Sequence, residues 1–147
     1  MVHGEYYDRV KSMTDEEAGK ILKSRLGAED YQKLIGVDNP HLHRFIASYV
    51  ELCNPVKVFV SADSPSDVQY IREATIRNGE EAELAEKGHT VHFDGYHDQA
   101  RDKAHTKFLL PKGVALGPEI NAIDRDEGLK EIYQILKNVM SGHELYI

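Results

Sequence analysis

A chain of 147 residues with 41% hydrophobic and 29% charged side chains has the make-up of one ordinary globular domain, long enough to bury a real core. Its 25 acidic residues against 18 basic ones leave a net charge of -7, which excludes a general nucleic-acid surface though not a small local basic pocket. The single cysteine, Cys53, excludes an internal disulfide framework and suits a reducing compartment, and no apolar run approaches the roughly 18 residues of a membrane span.

The N-terminal stretch MVHGEYYDRVK lacks the apolar core of a signal peptide, so the sequence reads as a soluble cytoplasmic protein. Val2, Tyr6, Tyr7 and Val10 fit an amphipathic turn or a frayed end. Thr14 and Glu17 have capping-box spacing and open a helix that carries Ala18, Ile21, Leu22 and Leu26 on one side and stops at Gly27. A second short helix is expected over 28–35, stopping at Gly36.

Asn39-Pro40 pairs an N-cap residue with proline at the first helical position. The expected helix, 40–53, carries Leu42, Phe45, Ile46, Tyr49, Val50 and Cys53 as a broad apolar stripe and breaks at Asn54-Pro55. Residues 56–62, VKVFVSA, read as a strand buried on both faces. The start signal then repeats: Asp63 or Ser64 caps, Pro65 opens, and Asp67 sits where the helix dipole favours it. The helix over 65–78 presents Val68, Ile71, Ala74 and Thr75 and ends at Asn78-Gly79, so 56–79 reads as half of a βαβ unit.

An acidic connection follows, with a short strand near 83–85, then strands at 90–93 and 106–110, a turn at 111–113 and an irregular run over 114–123. Asp124 is expected to cap a helix over 125–140, closed by Ser141-Gly142, before a last strand over 143–147. A chain that stops within a strand reads as part of a longer protein. The expected fold is α/β, a mixed sheet from the strands at 56–62, 90–93, 106–110 and 143–147, flanked by helices over 40–53, 65–78 and 125–140.

Ligand-type residues concentrate in 88–110, GHTVHFDGYHDQARDKAHTKFLL, a polar loop between two strands. His89, His92, His97, Asp94 and Asp98 invite a metal reading, but none has the His-x-x-x-His spacing of a zinc helix, and hydrogen-bonded loop histidines account for them better. Cys53, on an apolar helix face, reads as a small buried hydrophobe, and no phosphate-binding G-x-x-x-x-G-K-[ST] loop occurs. Arg101, with Lys103, His105 and Lys107, gives local positive charge in an acidic chain. Asp98 and Asp102 can orient its guanidinium, which suits bidentate capture of a carboxylate. From the pattern alone, a solvated surface ion-pair network explains this run better than an anion clamp.

The segment GYHDQARDKAHTKFLLPKG resembles the substrate-binding arginine loop of GTP-dependent phosphoenolpyruvate carboxykinase, archaeal branch, with Asp98-Gln99-Ala100-Arg101 followed by His105-Thr106-Lys107. HRFIASYVELCNP resembles the family's helix ending in Leu-Cys-x-Pro, VKVFVSADSPSDVQYIREATIRNGE its following strand, turn and helix, and SGHELYI the strand leading onward. The resemblance covers roughly 38–147. It implies a helical N-terminal arm, 1–37, ahead of an α/β substrate-side domain, 38–147, of a lyase that turns oxaloacetate and GTP into phosphoenolpyruvate, GDP and carbon dioxide in gluconeogenesis. It gives Arg101 the role of contacting the substrate carboxylate, supported by Asp98 and Asp102. The family's serine shortly after the arginine is replaced here by the Lys103-Ala104-His105 region.

Under this resemblance the metal ligands (for manganese or magnesium), the phosphate loop and the GTP pocket belong to later parts of the family's chain. No catalytic or metal-binding residue is then expected within 1–147, and the chain's partners are oxaloacetate or phosphoenolpyruvate and the C-terminal nucleotide-binding part, with no nucleic acid and no membrane. The competing readings are a stand-alone, non-catalytic α/β module that binds a small carboxylate, and an interaction domain that docks a partner through its acidic helices.

Overall fold

A computed structural model describes residues 5–95, 102 and 105–147, the side chains of 5–8 excepted. Its elements in chain order are α1 (Glu5–Ser12), α2 (Asp15–Arg25), α3 (Ala28–Ile35), α4 (Pro40–Cys53), β1 (Lys57–Phe59), α5 (Pro65–Arg77), β2 (Ala82–Glu83), β3 (Thr90–Val91), β4 (Phe108–Leu110), β5 (Ala122–Asp124), α6 (Arg125–Leu136) and β6 (Glu144–Tyr146). The chain divides into two compact units, Met1–Val60 with Thr106–Ile147, and Ser61–His105. The α/β class expected from sequence is the one found. The strands, however, pair two by two among the described residues and do not join one mixed sheet: β1 with β6 and β4 with β5 in parallel, β2 with β3 antiparallel.

The first unit holds the core. Thr14 closes a complete capping box with Glu17, and Asn39 accepts the Leu42 N–H ahead of Pro40. These caps fix where α2 and α4 begin. Ala18 and Leu22 of α2 then meet Ile46, Ala47 and Val50 of α4, with Met13, Leu26, Leu34, Val58 and Val60 completing the cluster. Ala18 and Ala47 are both wholly inaccessible to solvent, as two small side chains should be where helices pack closely. Arg44 of α4 pairs with Asp15, and Arg9 of α1 reaches Glu51 of α4 at 3.1 Å.

β1 is shorter than the expected strand at 56–62, and two acids take up backbone donors just past it. Beyond Phe59 the Val60 N–H donates to Asp30 Oδ1 at 2.8 Å, and the Ala62 N–H donates to Asp67 Oδ2 at 2.8 Å. Both carboxylates are buried. These backbone donors are satisfied by side chains. Within β1, Lys57, Val58 and Phe59 align with Glu144, Leu145 and Tyr146 of β6. Leu26 adds a parallel bridge to Val58, and Lys57 pairs with Glu144 at 2.7 Å.

α6 stops at Leu136, four residues before the expected end of the helix at 140. Lys137 is extended and Asn138 has a φ of 59°. The Asn138 and Met140 N–H groups donate to the carbonyls of Leu52 and Cys53, at 2.9 and 3.0 Å. Those carbonyls belong to the last turn of α4 and lack a partner within their own helix. Leu52, Cys53 and Tyr133 form a second small core beside this junction.

The run over 114–123, expected to be irregular, contributes β5 at its end. Phe108, Leu109 and Leu110 align with Ala122, Ile123 and Asp124, and Asp124 both ends the strand and caps α6 by accepting the Asp126 and Glu127 N–H groups. Gly128 lets the helix lie close to this pair. A Cβ there would fall 2.9 Å from Leu109 Cγ and 3.1 Å from Ile123 Cγ2. Gly128→Ala should therefore lower stability by about 1–2 kcal/mol in urea unfolding, because overpacking outweighs the gain in helix propensity. Unchanged or higher stability would show that Leu109 moves aside freely.

In the second unit Ser64, not Asp63, caps α5 through the Asp67 N–H. Asp63 instead takes a φ of 59°. The left-handed position after the helix falls on Gly79, whose φ is 74°. Ala74 is buried as expected, whereas Val68 is 39% exposed. The expected strands near 83–85 and at 90–93 shrink to β2 and β3, a short hairpin with Ala82 opposite Val91 and Glu83 opposite Thr90.

Candidate functional site

The polar stretch 88–110 begins on this hairpin. His89 and His92 lie on either side of β3. His92 Nδ1 is 2.6 Å from the Glu80 carbonyl oxygen, so that nitrogen carries the proton and donates. His92 Nε2 is 3.4 Å from Asp94 Oδ1. The Glu80 carbonyl holds the His92 pKa above the ordinary imidazole value, and Asp94 and Glu81 act in the same direction. His89 Nε2 lies 3.9 Å from Glu86 Oε1. Phe93, between His92 and Asp94, is 83% exposed.

Further along the sequence Asp102 accepts twice from one residue. Its Oδ1 takes the His105 backbone N–H at 3.1 Å, and its Oδ2 lies 2.5 Å from His105 Nδ1. Both side chains are exposed. Of the residues singled out for an anion clamp, Asp102 is thus placed, engaged with His105. Arg101, Asp98 and Lys103, and His97 of the metal reading, lie outside the described residues.

Among the described residues no three His, Cys, Asp or Glu side chains come together as a metal site. His92 and His89 face separate acids, Asp94 and Glu86, as the distances above show. Cys53 is buried, and burial raises its thiol pKa, so its thiolate is disfavoured. No helix of the described chain is long and apolar enough to cross a membrane.

One feature of the first unit escaped sequence reasoning. The segment after β4 curls into a cleft of about 390 Å³ lined by Leu110, Lys112, Gly113, Leu116, Ile120 and Asp124 among others. Gly113, with a φ of 84°, makes the turn. Without a periodic pattern, only the Pro111-Lys112-Gly113 turn was legible there.

The geometry defines an α/β chain whose described residues bring no metal-ligand cluster together and carry two histidine–aspartate pairs, His92 with Asp94 and His105 with Asp102. The family described as phosphoenolpyruvate carboxykinase N-terminal domain matches residues 44–147, and the chain belongs to that family. It is 53% identical over 135 residues to phosphoenolpyruvate carboxykinase [GTP] of Thermococcus sibiricus, covering 92% of this chain and 21% of the relative. The enzyme of the same name from Pyrococcus abyssi is 52% identical over 126 residues, 86% of this chain and 20% of the relative. That from Saccharolobus solfataricus is 37% identical over 127 residues, 86% of this chain and 21% of the relative. The chain therefore spans about a fifth of the length of the curated relatives it matches.

Proposed function

We propose that this chain is the N-terminal, substrate-side part of a GTP-dependent phosphoenolpyruvate carboxykinase, cytoplasmic and gluconeogenic, which converts oxaloacetate and GTP to phosphoenolpyruvate, GDP and carbon dioxide. The observation that carries the proposal is the 53% identity over 92% of the chain to an archaeal enzyme of that name. A helical arm, 1–37, precedes the substrate-side domain, 38–147, a division supported by the start of the family match at residue 44.

Arg101 holds one carboxylate of oxaloacetate through two parallel charge-assisted bonds, with Asp98 and Asp102 setting the guanidinium plane. Fixing that carboxylate orients the other for loss as carbon dioxide, and the enolate left behind takes the γ-phosphoryl group of GTP. Divalent metal, manganese or magnesium, supplies charge neutralisation for that transfer when bound. The metal and GTP are assigned to the rest of the enzyme, which is this chain's partner.

The isolated 147-residue chain is accordingly expected to show no GTP-dependent decarboxylation of oxaloacetate, and the same chain continued by the remaining four-fifths of a carboxykinase is expected to turn over. Carbon dioxide release coupled to GDP formation, followed by a linked spectrophotometric assay, makes the comparison. Turnover by the isolated chain, or none by the complete enzyme, would overturn the assignment.

A further inference from the structure

α6 carries two stripes free of charge. Leu129, Tyr133 and Leu136 fall within about 60° of one another around the helix, and they pack with Leu52 and Cys53 of α4. Gly128, Ile132 and Ile135 form the second stripe, centred about 100° from the first. Lys130, Glu131 and Gln134 occupy the remaining side and are exposed. The second stripe is covered at its start, where Gly128 lies against Leu109 of β4 and Ile123 of β5. Those strands are only three residues long. The next two positions are bare: Ile132 is 40% and Ile135 70% exposed. Together the stripes span about 160° of the helix, more than α4 and the β4–β5 pair cover.

Area bounds what fills the gap. Two partly exposed isoleucines offer on the order of 100–200 Å², far below the roughly 800 Å² per partner that a stable interface between separate molecules buries. The stripe is therefore too small to hold a second copy of the chain. An element joined to the same chain needs no such area, because the covalent connection replaces most of the cost of bringing two bodies together. The curated carboxykinases carry about four-fifths of their length outside the part this chain matches.

We infer that the Ile132–Ile135 stripe of α6 is a docking face for an apolar element of the remaining four-fifths of the carboxykinase. The inference rests on the reading of this chain as the N-terminal part of that enzyme. In the complete protein α6 then lies between two layers, with Leu129, Tyr133 and Leu136 turned to α4 and the two isoleucines turned to the rest of the enzyme.

Hydroxyl-radical footprinting read by mass spectrometry tests this on the wild-type proteins. Ile132 and Ile135 should be oxidised several-fold more slowly in the complete carboxykinase than in the 147-residue chain. Ile135→Lys gives a second readout. Lysine there stands four residues after Glu131 and in the last turn of α6, where a cation is favoured, so the 147-residue chain should unfold at the same urea concentration or a slightly higher one. The complete enzyme should lose about 3–8 °C of thermal midpoint, because docking buries the ammonium. Equal oxidation in the two proteins, or an unchanged midpoint of the complete variant, would overturn the docking face. Protection in the 147-residue chain that grows with its concentration would also overturn it, by assigning the stripe to a second copy. GTP-dependent decarboxylation by the same complete enzyme tests the carboxykinase reading separately: an inactive enzyme with a protected stripe would remove that reading and keep the docking face.

Discussion

In the complete enzyme Arg101→Ala should lower kcat/KM for oxaloacetate by about 10²- to 10³-fold, the range expected when one partner of a desolvated charge pair is deleted. Arg101→Lys should recover only part of the loss. Lysine keeps the charge but cannot make two coplanar bonds to a carboxylate. Steady-state kinetics with oxaloacetate and with phosphoenolpyruvate separate this from a nucleotide effect, since KM for GTP should stay within a factor of about two. A kcat/KM for Arg101→Ala within about threefold of wild type would assign Arg101 to the surface ion-pair network that its charged neighbours also suit.

The largest stability effect is expected at Leu22. It is 1% exposed, among the largest fully buried side chains, and sits where α2 crosses α4. Leu22→Ala removes methyl groups and leaves a cavity that flanking Ile46 and Val50, themselves on a rigid helix, can close only partly. The cost should be about 2–5 kcal/mol, a large fraction of the roughly 5–15 kcal/mol that holds a domain folded. Urea unfolding followed by circular dichroism checks it. A loss below about 1 kcal/mol would mean that α2 is not part of the core.

Helix starts were the most legible features of the sequence. Thr14 with Glu17, Asn39 with Pro40, Ser64 with Pro65, and Asp124 each form a local chemical unit, and each caps the helix assigned to it. The features that escaped depend on residues far away in sequence. Just past β1, Asp30 from α3 takes the Val60 N–H on the edge away from β6. α6 ends early because two carbonyls of α4 attract the following N–H groups. β5 is three residues long and has no pattern of its own, only the register of β4. At the site, composition drew attention to the histidines and resemblance to Arg101. Neither indicated that His92 faces the Glu80 carbonyl, because that contact spans twelve residues and depends on the hairpin.

The pairing of β1 with β6 bears on how the chain acquires its fold during synthesis. Lys57–Phe59 finds its parallel partner strand in Glu144–Tyr146, on the edge away from the Leu26 bridge. On the ribosome, the helices α2, α3 and α4 can gather their shared core from neighbouring sequence, while β1 waits with an unfilled edge for nearly the whole remaining length. Closing so long a loop is slow, and an open apolar strand is a site for wrong association in the interval. The buried carboxylate of Asp30 takes the Val60 donor on the opposite edge, away from β6, and leaves the waiting edge to its late partner.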